Sequence, residues 1–168
     1  NFFRTSYIYG FGRTEDVPVG FSFSLIGGYS IRKDSLYDQS RTRPYYGFEV
    51  QRSKYNDRGF YSFYTLKLGG YRYKHQWEDF DLLINVDHFS RLRSMGSKWM
   101  QRFFVSGGVT KQFKPVLEQA LLLRSQYGLP YFEFGNVAAD LRATVKTETV
   151  FYNLRKIAGF GFAPFLFA

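Results

Sequence analysis

The amino-acid sequence predicts an all-β chain, an antiparallel transmembrane β-barrel segment of about eight strands. The first of three observations is alternation. Between Val137 and Phe151, Asp140, Arg142, Lys146 and Glu148 take even positions, while Val137, Ala139, Leu141, Ala143, Val145 and Phe151 take odd ones. Successive side chains of a strand point to opposite faces, so this stretch has a charged face and an apolar one. The second is length: several stretches alternate for about ten residues or more, as a tilted bilayer crossing requires, whereas soluble strands centre near 5 to 6. The third is the placing of aromatic residues at strand ends, as at Tyr7-Ile8-Tyr9, Tyr45-Tyr46, Tyr71-Arg72-Tyr73 and Phe151-Tyr152. Interfacial girdles of membrane barrels occupy such positions.

Each expected strand has its own pattern. Phe2 to Gly12 opens the chain, and a polar connection, Arg13 to Gly20, leads to Phe21–Arg32. There Phe21, Phe23, Leu25, Tyr29 and Ile31 oppose Ser22, Ser24, Gly28, Ser30 and Arg32. After a loop from Lys33 to Arg43, Tyr46, Phe48 and Val50 alternate with Gly47, Glu49 and Gln51. Asn56-Asp57-Arg58-Gly59 has the composition of a tight turn. Beyond it Tyr64, Leu66 and Leu68 oppose Thr65, Lys67 and Gly69.

A connection from His75 to Asp79 precedes a strand in which Leu82, Ile84 and Val86 face away from Asn85, Asp87 and Arg91. Past a polar link, Ser94 to Lys98, Phe103, Val105 and Val109 oppose Arg102, Ser106, Gly108 and Thr110. The longest connection, about 112–136, holds Pro115–Arg124, which suits a short helical turn or a further strand. Val137–Phe151 follows, and Ala158–Ala168 closes the chain after a turn near Asn153. The two long connections are the second and sixth gaps and so fall on one side; outer-membrane barrels have long loops outside and short periplasmic turns.

Composition narrows the class. The 168 residues suit one domain and include 20 Phe and 14 Tyr, a strand-favouring supply. No apolar run of about 18 residues is present to form a transmembrane helix, which says nothing against a barrel. A net charge of +9 suits an acidic partner. The cations are spread along the chain without a nucleic-acid-binding motif, so outer-membrane lipid is the expected partner and nucleic acid is not. With 0 Cys there is no disulfide framework or thiolate metal site. The two ends read as strand interior, so the expectation is an internal fragment, residues 1–168 forming barrel throughout.

Three segments, Gly10–Gly20 before an aromatic alternating strand, Gly128–Tyr152, and Gly159–Ala168, resemble the C-terminal barrel of the bacterial surface-antigen superfamily. That superfamily includes the outer-membrane barrel-assembly translocase and two-partner secretion transporters, and the likeness is to Bacteroidetes-type members. The resemblance implies a barrel of about sixteen strands in the outer membrane. It further implies protein insertion or polypeptide translocation, client polypeptides as partners, and a long loop folded back into the lumen. That loop would have its tip at Gly128, Leu129, Pro130, Tyr131 and Phe132, where the family's arginine is missing. The Asp140, Arg142, Lys146 and Glu148 ladder would then be a lumenal charge network or the seat of the loop. A passive porin or barrel scaffold is the alternative.

A hydrolase is the second alternative. His88 and Ser90 resemble the His-x-Ser motif of outer-membrane phospholipase A, yet Arg91-Leu92 replaces the family's Asn-Gly and only Gln101 stands near the place of a third group. A polar strand end at the membrane interface explains the pair equally, and the expectation is no catalysis. No metal or cofactor site is expected. Thr14-Glu15-Asp16 lacks calcium-loop spacing, His75 stands alone, and neither Gly10-Phe11-Gly12 nor Gly159-Phe160-Gly161 opens a helix that could hold phosphate.

Overall fold

The computed structural model describes residues 1–8, 12–34, 39–116, 121–129 and 139–168, giving only the backbone at 32–34, 39–41 and 157. Eleven strands and no helix are found among them: β1 (Phe2–Ser6), β2 (Thr14–Pro18), β3 (Gly20–Asp34), β4 (Gln39–Tyr55), β5 (Tyr61–Tyr73), β6 (Gln76–Phe89), β7 (Arg93–Met95), β8 (Trp99–Phe113), β9 (Leu141–Ile157), β10 (Phe160–Phe162) and β11 (Phe165–Phe167). One large antiparallel sheet runs in the order β10-β9-β8-β6-β5-β4-β3, with β11 also on β9 and β7 on β8. No pairing closes β3 onto β10 or β11, so among the described residues the sheet is open.

Alternation sets the two faces and the register joins them across strands. Glu49 stands opposite Lys67, Thr65 opposite Asn85, Asn85 opposite Gly108, and Gly108 opposite Thr144. These form a polar face. On the other, Phe23 pairs with Val50, Val50 with Leu66, Leu66 with Ile84, Ile84 with Val109 and Val109 with Ala143. Burial is the reverse of a soluble sandwich: Thr65 and Asn85 are 2% and 4% exposed, whereas Leu25, Tyr29 and Val145 are 77%, 78% and 70% exposed. Among the described residues no second layer covers the apolar face.

The opening of the chain departs from expectation. Phe2 to Gly12 does not form one long strand; β1 turns back and pairs with β2, matching Phe2 to Pro18 and Ser6 to Thr14. The stretch read as a polar connection therefore supplies a strand. This hairpin packs on the polar face at the end where β3 begins. Val17 is buried against Tyr61 and Phe89, with Ile8, Val19, Tyr55, Phe63 and Phe104 around them. Phe3 stacks on Tyr55 at 3.6 Å, and the Tyr61 and Tyr152 hydroxyls donate to the carbonyls of Pro18 and Tyr7 at 2.9 Å.

Smaller differences have local causes. Strands β3 and β4 continue pairing from Tyr29↔Pro44 out to Asp34↔Gln39, so most of the connection expected from Lys33 to Arg43 is ladder. Arg93–Met95 pairs with Trp99–Gln101 about a turn at Gly96, whose φ is +72°. The last strand is broken at Ala163-Pro164, because proline lacks the N–H a ladder needs. The Asn56–Gly59 turn forms as expected: Gly59 N–H donates to the Asn56 carbonyl at 2.9 Å and the Asn56 side chain accepts from Arg58 and Phe60.

Candidate functional site

The connection between β8 and β9 is held to the polar face from its first residues. Register shifts between Gly69 and Tyr71, where Asp79 and Phe80 together oppose Gly70. A Cβ on Gly70 would lie 2.9 Å from the Phe80 ring, so the bulge depends on glycine there. Asp79, at φ +46°, turns its carboxylate to Arg43 at 2.6 Å and to Val116 N–H at 2.6 Å, while its own N–H donates to the Lys114 carbonyl at 3.0 Å. Glu78 accepts a second bond from Arg43 at 3.0 Å. Both carboxylates and the guanidinium are largely buried, where removing one partner strands the other charge. The chain leaving β8 is thus clamped to β6 and β4.

Further on, Arg142 gathers the loop. Its Nη1 donates to the Leu122 carbonyl at 2.8 Å and to the Ser125 hydroxyl, and its Nη2 donates to Thr110 Oγ1 at 2.8 Å. Thr144, two residues on and so on the same face, donates its hydroxyl to the Tyr127 carbonyl at 3.1 Å. Tyr127 in turn lies beneath Lys67 Nζ, 5.3 Å from its ring centroid, and Lys67 pairs with Glu49 at 3.1 Å. The loop therefore spans the polar face from β9 to β5. Gly108 makes room for it: a Cβ there would meet Asn85 Oδ1 at 2.9 Å and the Tyr127 carbonyl at 3.3 Å.

Within the loop, Gly128 N–H donates to the Ser125 carbonyl at 3.0 Å and Leu129 N–H to the Leu123 carbonyl at 2.7 Å. Any side chain at Gly128 would collide with the Leu123 carbonyl, at 2.0 Å from its Cβ. Neither a helix nor a strand forms in the described part of Pro115–Arg124. Pro130, Tyr131 and Phe132 of the expected loop tip lie outside the described residues.

The four members of the charged ladder do different things. Asp140 precedes β9, which begins at Leu141 rather than Val137, and meets Lys111 Nζ at 2.6 Å. That ammonium holds the Asp140 carboxyl below the usual carboxylate value. Its contribution to stability is present above the ordinary 3.8 and is lost as pH falls through the lower folded value. Arg142 is buried under the loop, Lys146 is half-buried opposite Ser106, and Glu148 is exposed. Residues that the sequence reading did not single out complete the seat: Thr110, Ser125, Tyr127, Lys67 and Glu49. Alternation placed Thr110, Lys67 and Glu49 on this face, but nothing local marks Ser125 or Tyr127.

His88 and Ser90 are not brought together as a catalytic pair. The His88 ring meets Ser62 Oγ at 2.9 Å through Nδ1 and stacks on Phe60. Ser90 lies past the end of β6, buried, donating to the Arg91 carbonyl at 3.0 Å and accepting from Phe103 N–H at 3.0 Å. Among the described residues no group of His, Cys, Asp and Glu could hold a metal ion.

Comparison with protein-family models, curated proteins and solved structures finds no match to this chain.

Arg142→Ala leaves the Leu122 carbonyl, Ser125 and Thr110 without their charged donor, and bonds of this kind contribute about 1.5–3 kcal/mol each. The expected outcome is release of the loop while the sheet stays folded. Limited trypsin digestion checks it: cleavage after Arg124 becomes rapid in the variant, with the β-sheet circular dichroism unchanged.

Proposed function

We propose that this chain is part of a bacterial outer-membrane β-barrel of the surface-antigen type, serving the insertion of proteins into that membrane or the passage of polypeptide across it, without catalytic chemistry of its own. Inverted burial is the observation that supports the spanning reading. In lipid, backbone groups must be satisfied within the sheet and the outward face must be apolar, while a wet interior takes the charges. The exposed ladder of Phe23, Leu25, Ile84 and Val145 and the covered set of Thr65, Asn85, Arg142 and Thr144 are arranged in that sense.

Strand direction supports a barrel larger than this sheet. The path from β10 to β3 is seven strands wide, so its two edge strands run the same way and a seam between them would be parallel. Bacterial outer-membrane barrels are antiparallel with an even strand number, and an odd number of further strands would restore that. A sixteen-stranded barrel, as the surface-antigen resemblance implies, meets the condition.

The polypeptide-handling role rests on that resemblance together with the loop seated on Arg142 and Thr144, the placing the resemblance gives for a lumenal loop. The strand carries the arginine here, in contrast to the family's loop tip.

Two measurements test the reading. Ile84 lies mid-strand and is 48% exposed, a position where a substitution in water usually changes stability by about 0.5 kcal/mol or less. In a bilayer Ile84→Arg is expected to cost about 2–4 kcal/mol, read by urea unfolding from lipid vesicles. A neutral result refutes the spanning reading. For the role itself, a photo-reactive residue replacing Lys146 in cells is expected to crosslink to outer-membrane precursor polypeptides. Their absence from the crosslinked products argues for a passive pore.

A further inference from the structure

The positive charge of the chain is not evenly placed along the strands. At the end of the sheet where β3 begins, Arg52, Lys54, Arg58 and Arg91 surround the Asn56–Gly59 turn, all exposed. Arg91 is pressed against that turn, since a Cβ on Gly59 would lie 2.8 Å from its own. Beside them, a second group is drawn together by the backbone. Leu154 N–H donates to the Lys98 carbonyl at 2.8 Å, which sets the β7–β8 turn against the end of β9 and brings Lys98 beside Arg155 and Lys156, with Arg93 across β8 at the same end of the sheet. These four are also exposed.

None of these cations forms an ion pair among the described residues, and Asp57 is the one carboxylate in these turns. At the opposite end carboxylates stand among the cations: Arg43 is matched by Glu78 and Asp79 and Lys111 by Asp140, while the exposed Arg72 and Lys74 lie over the rings of Trp77 and Tyr73. Unmatched cations crowded on one rim repel each other unless anions come to them.

Register shows which anions fit. Arg52 and Lys54 continue the same face of β4 as Phe48 and Val50, and Arg93 stands opposite Gln101, two positions from Phe103. Along β4 the cations therefore follow directly on the exposed apolar run, with Arg52 standing between Phe21 and Tyr64 at its border. An apolar band bordered by long cationic side chains matches a lipid leaflet, with acyl chains against the band and phosphates against the rim. The turns at this end are all short, while the long loop leaves from the other end beside the two-residue Lys74-His75 turn, and an end without long loops fits the periplasmic side. That side faces glycerophospholipid.

We infer that this rim is a binding surface for the phosphate groups of anionic glycerophospholipids, holding the barrel in register with the inner leaflet of the outer membrane. The inference rests on the spanning reading. Each cation near an anionic surface contributes about a fivefold gain in association, and the gain is screened at high salt.

The test reads the motionally restricted component of spin-labelled lipid around the wild-type chain in phosphatidylcholine bilayers containing phosphatidylglycerol. Phosphatidylglycerol is expected to be enriched about fivefold over phosphatidylcholine at the protein, and the enrichment to vanish near 1 M salt. Arg93→Gln with Arg155→Gln should at least halve it. Arg72→Gln with Lys74→Gln, which removes equal charge from exposed positions at the other end, should leave it unchanged. Restricted lipid without headgroup preference, or equal loss in the two double variants, overturns the inference while leaving the barrel standing. Preference for lipid A over phosphatidylglycerol overturns it by assigning the rim to the outer leaflet. No restricted lipid of any kind removes the spanning reading and the rim's role together.

Discussion

A polar side chain turned away from bulk water is costly to leave without a hydrogen-bond partner, since a buried donor or acceptor left unmade costs about 1–3 kcal/mol. In this chain the constraint falls on the covered face of the sheet, which is the polar one. Asn85 donates to Asp87 at 2.7 Å and Asp87 accepts from Ser106 at 2.6 Å, so part of that face satisfies itself across β6 and β8. Arg142 and Thr144 cannot do so within the ladder alone. Their partners come from the loop, which brings the Leu122 and Tyr127 carbonyls to them. The loop is therefore a requirement of the sheet's chemistry as much as an insertion into it.

Two inserted pieces divide the face by character. Where β6 and β8 carry charge and small residues, the polar loop lies on them; where Tyr61, Phe89 and Phe104 interrupt the polar pattern, the β1–β2 hairpin covers them with Val17 and Ile8. Arg102 sits at that aromatic end, 5.0 Å above the Phe89 ring and almost wholly buried. Its Nε and Nη1 have no hydrogen-bond partner among the described residues, and the Phe89 ring face offers the guanidinium a cation–π contact. The apolar face receives neither piece and is left to its surroundings, and the cationic rim follows its border.

Most strands were legible because alternation is a local property: the phase of Tyr64, Leu66 and Leu68 against Thr65 and Lys67 fixes a face without knowledge of neighbours. The hairpin was not, since Thr14-Glu15-Asp16 has the composition of a connection and becomes a strand only by pairing with β1. A trace of it was present in Phe63, Phe89 and Phe104, aromatic residues out of phase with their strands, which mark an apolar patch inside a polar face. The loop seat was half legible. Arg142 and Thr144 could be assigned to the polar face, but their contacts with Ser125 and Tyr127 join residues separated by a turn that no periodicity describes. The His88 and Ser90 spacing has a related limit: two-residue spacing gives one face only while the strand continues, and β6 ends at Phe89.

Which medium meets each face of β9 decides whether the sheet spans a membrane. The chain contains 0 Cys, so single cysteines can be introduced and labelled without background. With Val145→Cys, on the apolar face, the expected result in membranes is reaction with a lipid-soluble thiol reagent and protection from a water-soluble one. With Glu148→Cys, exposed on the polar face, the order should reverse. Labelling of Val145→Cys by the water-soluble reagent, or its shielding from both, would contradict the account, the first placing water and the second a protein layer where the lipid should be.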